Sequence, residues 1–336
     1  MHSNPRSLGP FQVHPIGLGC MNLSHAYGVP ASREQAEQVL LTALDEGVTL
    51  FDTAALYGFG ANETLVGDIL APHRQRITLA SKCGMQGVDV NGDGKLVRVI
   101  DGRPSTLRAT CEASLRRLRT DVIDLYYLHR WDRRVPIEDS VGTLGDLVRE
   151  GKIRSVGLSE VSAATLRRAH AEYPITAVQT EYSLCTRNPE IAVLEACREL
   201  GTAFVAFSPL ARGFLGGALR DVSTLVPGDF RRTMPRFAPD AYAANLRLLD
   251  AYEAIAKEAG CTPAQLALAW LLARGPEIIP IPGTTSVEHL RDDLGAVDVS
   301  LDASLMARLD ALIHDGTMAG DRYPPQAQAE VDTEVF

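Results

Sequence analysis

Residues 48–58 read VTLFDTAALYG. The first four residues form a short apolar run typical of a buried strand. The run ends at the acid Asp52, and the phenol of Tyr57 follows five residues later. The same pattern recurs twice downstream, where apolar runs end at Lys82 and at His129. An acid, a phenol, an amine and an imidazole are groups that transfer protons. The sequence therefore predicts a catalytic site if these strand ends meet on one face.

The alternation of apolar runs and amphipathic segments predicts the fold. The apolar runs cover 16–19, 49–51, 77–81, 123–128, 153–158, 177–179, 203–207 and 278–281. The helical patterns between them cover 32–46, 62–70, 104–119, 137–150, 162–171 and 189–200. Parallel neighbours need crossover connections, so this order predicts a parallel α/β sheet. Eight units in 336 residues favour a (β/α)8 TIM barrel, one domain over residues 1–336.

An open dinucleotide-binding sheet is the competing α/β fold. It would place a Gly-x-Gly-x-x-Gly turn after its first strand, and the nearest candidate, residues 17–22, lacks the third glycine. A closed barrel is therefore the better interpretation.

Three segments fall outside the alternation, and we expect long loops over the carboxyl-terminal face of the barrel. They are a polar, glycine-rich insertion at 84–103, a long loop at 212–239 and an irregular tail at 316–336. Long loops on a barrel commonly bind ligands. Residues 89–94 begin like a calcium-binding loop, but the twelfth position is Ile100 rather than an acid, so a hairpin tip is the better interpretation.

Composition narrows the class of protein. The formal net charge of −9 argues against a nucleic-acid partner, because phosphate binding favours a basic face. No apolar stretch approaches the roughly 18–20 residues of a membrane helix, and the start has no signal-peptide core. Six scattered cysteines without a Cys-x-x-Cys pair predict reduced thiols, no metal site and a cytoplasmic location. An oligomer has no support in the sequence.

In a barrel of this kind the carboxyl ends of all strands open onto one face. Lys82 would then lie between Asp52 and Tyr57, and we expect its ammonium to lower the pKa of the phenol. Taken singly, each group has an ordinary structural role, such as a helix cap or a solvated charge. Their occurrence at three consecutive strand ends favours catalysis.

These motifs resemble the aldo-keto reductase family, and most of all its bacterial branch that resembles potassium-channel β-subunits. The resemblance extends from about Gly17 to Asp310. It is carried by Asp52-Thr53-Ala54-(x)2-Tyr57-Gly58, Asn62-Glu63-(x)2-Val66-Gly67, Ser81-Lys82, Leu128-His129, Gly151-Lys152-Ile153-Arg154-(x)2-Gly157-Leu158-Ser159, Phe207-Ser208-Pro209-Leu210 and Ile281-Pro282-Gly283-Thr284.

The resemblance implies an enzyme that transfers a hydride between a nicotinamide cofactor and a small carbonyl or alcohol substrate. Tyr57 would be the general acid and base, Lys82 oriented by Asp52 would tune it, and His129 would orient the carbonyl. The substrate pocket would include Met21, Tyr27, Tyr57, His129 and Trp131.

The later strand ends would hold the cofactor. Ser159 and Gln179 would bind the carboxamide, Phe207 would stack on the nicotinamide, and the segment after Gly283 would hold the adenosine phosphate. The full set of implied contacts is Cys20, Met21, Asp52, Ser159, Glu160, Gln179, Phe207, Ser208, Leu210, Arg212, Gly213, Gly283, Thr284, Thr285, Ser286, His289, Asp292 and Asp293.

Several positions depart from the pattern of the family. Glu160 stands where many relatives have an asparagine, and Phe207 replaces a common tyrosine. Thr285, Ser286 and His289 stand where users of NADPH often have a lysine or an arginine. The expected cofactor is NADP, with NAD as the alternative.

Two other functions compete with the reductase. A regulatory barrel like the channel β-subunits would use its cofactor as a redox sensor with little turnover. A barrel hydrolase or a metal-dependent isomerase is disfavoured, because the sequence has neither a nucleophile elbow nor spaced metal ligands.

Overall fold

The computed structural model describes residues 4–336. The strands are β1 (Arg6–Leu8), β2 (Phe11–Val13), β3 (Leu18–Gly19), β4 (Leu50–Asp52), β5 (Thr78–Cys83), β6 (Met85–Asp89), β7 (Leu96–Ile100), β8 (Ile123–Leu128), β9 (Ile153–Ser159), β10 (Ile175–Glu181), β11 (Ala203–Phe207) and β12 (Ile278–Pro280). The helices are α1 (Arg33–Asp45), α2 (Ala61–Leu70), α3 (Pro104–Leu118), α4 (Ile137–Arg149), α5 (Ala163–Glu172), α6 (Val193–Leu200), α7 (Pro239–Glu258), α8 (Pro263–Ala273), α9 (Val287–Leu294), α10 (Ala303–Leu312) and α11 (Pro325–Gln328).

Eight parallel strands form the central sheet in the order β3-β4-β5-β8-β9-β10-β11-β12. Two backbone hydrogen bonds close it, from Gly17 N to Pro280 O (3.0 Å) and from Gly19 N to Pro282 O (2.9 Å). The predicted (β/α)8 barrel is confirmed. Each predicted run lies within two residues of a barrel strand at either end, because the apolar runs are the segments that the barrel buries on both faces.

Glycines permit the close approach at the seam of the barrel. A Cβ atom on Gly19 would lie 2.9 Å from the carbonyl oxygen of Ile281, and one on Gly283 would lie 2.8 Å from that of Gly19. These distances are shorter than a real Cβ contact allows, so the first and last strands can meet only where the side chains are absent.

Helices cover the outside of the barrel, as the periodic stripes predict. In α1 the stripe of Ala36, Leu40, Ala43 and Leu44 is buried, and Ser32 caps the helix in a capping box with Gln35. A separate apolar cluster fills the interior of the barrel, where the hairpin β1–β2 contributes Leu8 and Val13. This hairpin plugs one end of the barrel.

The three segments outside the alternation have local structure of their own. Residues 84–103 contain the antiparallel hairpin β6–β7. At its tip, the backbone N–H groups of Asp93 and Gly94 donate hydrogen bonds to the Asp89 carboxylate. Residues 212–239 contain short 3-10 helices. The tail at 316–336 has one helical turn, α11, and is otherwise without strands or helices. Within residues 4–336, every helix is too short or too polar to cross a membrane.

Candidate active site

Lys82 lies at the centre of the four polar strand ends. Its buried ammonium donates to the Asp52 carboxylate, to the carbonyl oxygen of Thr53 (2.9 Å) and to the phenol oxygen of Tyr57 (3.3 Å). The ring of His129 packs edge-on against that of Tyr57, with 5.8 Å between the centroids. The barrel therefore brings all four side chains together on one face, as expected from the strand order.

Asp52 has a second partner. The side-chain amide of Gln179, at the end of β10, donates to its other carboxylate oxygen at 2.8 Å. Gln179 was predicted to bind a carboxamide; in the structure it lines the cleft, and its amide N–H also holds the acid that orients Lys82. The sequence gives no local sign of this contact, because the two residues are 127 positions apart.

Burial and charge act in opposite directions on Tyr57. Burial raises the pKa of the phenol, and the attraction of Lys82 only partly offsets that rise. Lys82 therefore lowers the pKa of Tyr57 as expected, but burial outweighs it and the net shift is upward. Burial also disfavours the ammonium of Lys82, but Asp52 and Tyr57 more than compensate and hold its pKa above the ordinary value.

His129 is a neutral imidazole at physiological pH. Burial lowers its pKa well below the ordinary value, and the nearby charges of Lys82, Arg130 and Arg98 lower it further. Its Nδ1 atom is buried and has no hydrogen-bond partner among the described residues. A neutral imidazole carries one N–H and can donate it to a carbonyl oxygen.

A cleft of about 670 Å³ opens beside these groups on the carboxyl-terminal face. Most of the residues that the sequence singled out line it. They are Met21, Tyr27, Asp52, Tyr57, His129, Ser159, Gln179, Phe207, Ser208, Leu210, Arg212, Gly213, Gly283, Thr284, Thr285 and His289.

The remaining predicted contacts lie outside the wall of the cleft. Cys20 is fully buried behind it, and Trp131 donates its indole N–H to the carbonyl oxygen of Val135. Ser286 caps α9, and Asp292 accepts a hydrogen bond from Thr262. Burial, reinforced by the carboxylate of Asp292, raises the pKa of Asp293 to about 8, so this acid is largely protonated at neutral pH.

Glu160 forms a buried ion pair with Arg322 of the tail, and its side chain does not reach the cleft. Arg322 also donates to Glu181 (3.1 Å), which accepts a second guanidinium from Arg212 (2.7 Å). Burial alone would raise the pKa of Glu181, but these arginines together with Arg236 hold it at about 2. The network joins the tail to the ends of β9 and β10.

The turn after β11 holds its backbone in an unusual conformation. Ser208, Ala211 and Arg212 have φ values of 49°, 47° and 60°, a region that costs a residue other than glycine about 1–3 kcal/mol. Ser208 and Arg212 line the cleft. Such strain is concentrated at binding sites, where the surrounding structure holds it in place.

Sequence reasoning did not single out several residues of the cleft, among them Asn22, Arg98, Arg130, Arg231 and Tyr323. Arg98 belongs to the hairpin β6–β7 and Tyr323 to the tail; both segments were expected to lie over the barrel face, but no motif within them identified these two residues. Arg130 could have been found, because it directly follows His129 at a strand end.

Comparisons with known proteins agree with this geometry. The model of the Aldo/keto reductase family matches residues 15–314. A probable aldo-keto reductase of Glycine max is 43% identical over 93% of this chain and 89% of its own. An aldo-keto reductase of Schizosaccharomyces pombe, whose name specifies NADP(+), is 42% identical over 97% of this chain and 96% of its own.

Solved structures give the same result. A glycerol dehydrogenase from Gluconobacter oxydans has a TM-score of 0.83 at 26% identity, with 100% of this chain and 98% of that chain covered. An aldo/keto reductase from Klebsiella pneumoniae, solved with NADP and acetate, has a TM-score of 0.68 at 29% identity, with 96% and 99% covered. The chain belongs to the aldo/keto reductase family, whose members are oxidoreductases that use a nicotinamide cofactor and act on small molecules.

Proposed function

We propose that the protein is an NADP-dependent enzyme that interconverts carbonyl compounds and alcohols, with Tyr57 as the general acid and base. The observation that carries this proposal is the position of Lys82, whose ammonium contacts both the Asp52 carboxylate and the Tyr57 phenol at the edge of the cleft. A buried lysine held in this way is not a solvated charge.

The cleft fits a dinucleotide in size and chemistry. Its volume lies within the range of ligand pockets, about 300–1,000 Å³. Asn22 and His129 line it, and each has a buried polar atom without a partner among the described residues. Ser159 and Phe207 would hold the nicotinamide, while Arg212 and the turn around it would hold the phosphates. When bound, the reduced cofactor supplies the hydride.

Tyr57 would donate its phenolic proton to the oxygen of the carbonyl during reduction. Its raised pKa keeps the proton in place at neutral pH until the oxygen becomes basic enough to take it. Lys82 would then stabilise the phenolate that remains, since its ammonium lies 3.3 Å from the phenol oxygen. His129, neutral and adjacent, would donate its N–H to the same carbonyl oxygen and hold it in place.

The variant Tyr57→Phe tests this mechanism. Removal of a general acid typically costs about 10²–10⁴-fold in rate, so kcat for aldehyde reduction should fall by that order while NADPH still binds. Steady-state absorbance at 340 nm with an aldehyde panel measures the rate, and fluorescence titration measures cofactor binding. Unchanged turnover would overturn the mechanism. NADPH binding to the wild-type protein without turnover of any aldehyde would instead favour a redox sensor.

The proposal of NADP over NAD is supported more by related proteins than by positive charge near the adenosine end of the cleft. The yeast relative is named for NADP(+), and the Klebsiella structure contains NADP. In this chain Arg291 near the adenosine end is paired with Glu46 (3.0 Å), which leaves His289 as the basic residue on the cleft wall there.

Paired titrations with NADPH and NADH decide the cofactor. We expect the wild-type protein to bind NADPH more tightly than NADH. The variant Ser286→Lys should widen the difference, because it adds a cation at the start of α9 beside the proposed 2′-phosphate site. Equal affinity of the wild-type protein for the two cofactors would contradict the NADP assignment.

A further inference from the structure

The cleft carries more positive than negative charge. Among the described residues that line it, the arginines are Arg98, Arg130, Arg212 and Arg231. The acid on the wall is Asp52, which is already paired with Lys82. This excess is unexpected in a chain with a net charge of −9.

Three of these arginines have a carboxylate partner. The pairs are Arg98 with Glu330, Arg212 with Glu181 and Arg231 with Asp229. Arg130 differs, because within residues 4–336 no carboxylate lies close enough to form an ion pair with its guanidinium. It is half-buried, so its charge is only partly hydrated.

Two hydrogen bonds fix the position of Arg130. Its Nη1 atom donates to the carbonyl oxygen of His129 (2.7 Å) and to the hydroxyl of Ser159 (3.3 Å). Both contacts use the same nitrogen, which leaves the N–H groups of Nε and Nη2 without a partner in the described chain. The charge also acts on both proton-transfer groups, because it lowers the pKa of His129 and opposes the rise at Tyr57.

A fixed guanidinium with free N–H groups is suited to a carboxylate or a phosphate, which it can bind through two parallel hydrogen bonds. Resting on the proposed function, we propose that the carbonyl substrate carries an anionic group, a carboxylate or a phosphate, and that Arg130 binds this group while His129 and Tyr57 hold the carbonyl oxygen. Arg98, from the hairpin β6–β7, also lines the cleft, but its guanidinium is already paired with Glu330.

A purely structural role for Arg130 is the competing explanation. In that role it would only anchor the backbone after β8 and the hydroxyl of Ser159, and its loss would reduce the turnover of every carbonyl compound equally. Pairs of substrates that differ in a single anionic group separate the two explanations.

Kinetics with matched aldehydes at saturating NADPH test the proposal. Succinic semialdehyde is compared with butanal, and D-glyceraldehyde 3-phosphate with D-glyceraldehyde, so that the two pairs distinguish a carboxylate from a phosphate. We expect the wild-type enzyme to have a higher kcat/KM for the anionic member of at least one pair. In Arg130→Met that preference should fall about 10- to 100-fold, the usual effect of a lost charge-assisted hydrogen bond. The preference should fall less in Arg130→Lys, which keeps the positive charge but loses the planar set of N–H donors.

Arg116→Met is the matched control, because Arg116 is exposed on α3 and away from the cleft. Arg116→Met removes the same charge from the protein, and we expect its preference for the anionic aldehyde to equal that of the wild type. An equal loss for both members of each pair in Arg130→Met would overturn the proposal and leave the structural role.

A binding measurement keeps the proposal separate from the proposed function. Titration of the NADP⁺-saturated protein with succinate by calorimetry requires no turnover. Saturable binding that weakens at least tenfold in Arg130→Met supports the anion site even if no aldehyde is reduced. Turnover of butanal without binding of succinate or preference for an anionic aldehyde would overturn the anion site and leave the reductase.

Discussion

Tyr57 shows how burial and a neighbouring charge compete at one residue. The sequence placed an amine, an acid and a phenol together, and from that pattern only the attraction of the ammonium could be assessed. The degree of burial depends on loops that fold over the barrel face from distant parts of the chain. Burial proved the larger influence, and it keeps the phenol protonated.

The dependence of rate on pH follows from these directions. Burial raises the pKa of Tyr57 and lowers that of His129 well below its usual value. Around neutral pH, Tyr57 therefore stays protonated and His129 stays neutral, which are the states that aldehyde reduction requires. We expect kcat for aldehyde reduction to be constant from about pH 6 to 9 and to fall only above about pH 10, the ordinary tyrosine value. Alcohol oxidation needs the phenolate, so its kcat should rise with pH. A reduction rate that falls between pH 6 and 8 would contradict this assignment.

Among the elements, the tail contributes more to the site than its irregular sequence indicated. Arg322 pairs with Glu160 and Glu181, the backbone N–H of Asp332 donates to the carbonyl oxygen of Glu160 (3.0 Å), and Tyr323 lines the cleft. The eight barrel strands and the helices α1 to α6 were predictable, because their apolar periodicity is local, whereas α7, α8 and α10 were not identified. The pairing of Arg322 with Glu160 spans 162 positions, and no local pattern encodes it.

Removal of Arg322 tests whether the tail stabilises the fold. Arg322→Met leaves Glu160 buried without its cation, and such a change typically costs about 3–5 kcal/mol. Urea unfolding should show a loss of that order in the free energy of unfolding. The double variant with Glu160→Gln should recover part of it, because the unpaired charge is gone.

Arg308→Met is the control for the loss of an ion pair as such. Arg308 pairs with Glu258 on an exposed surface, where such a pair contributes at most about 1 kcal/mol. Equal losses in Arg322→Met and Arg308→Met would show that the buried pair stabilises the fold no more than an exposed one.

For the molecule as a whole, closure of the barrel depends on the seam between β3 and β12. The eight strands were predictable from the sequence, whereas the closing contacts were not, because a glycine gives no sign of which backbone it approaches. Gly19 marks the point where the space for a side chain is already taken by the backbone of Ile281.

Gly19→Ala should therefore destabilise the barrel. Its Cβ atom would lie 2.9 Å from a carbonyl oxygen that cannot move away without opening the seam, and overpacking of this kind costs about 1–3 kcal/mol. Thermal unfolding measures the effect. Gly142→Ala is the matched control, because its Cβ atom would meet only the flexible Glu172 carboxylate at 3.2 Å, and alanine favours α4 by up to about 1 kcal/mol. Similar losses in both variants would argue against a special role for the seam.

The positions of Arg322 and Tyr323 along the chain also imply an order of events during synthesis. Translation proceeds from the amino terminus, so the eight barrel strands, which end at Pro280, leave the ribosome before Arg322 and Tyr323. A nascent chain can assemble the barrel while one wall of its cleft is still missing. The part of the cleft wall that Tyr323 forms is therefore completed after the barrel that supports it.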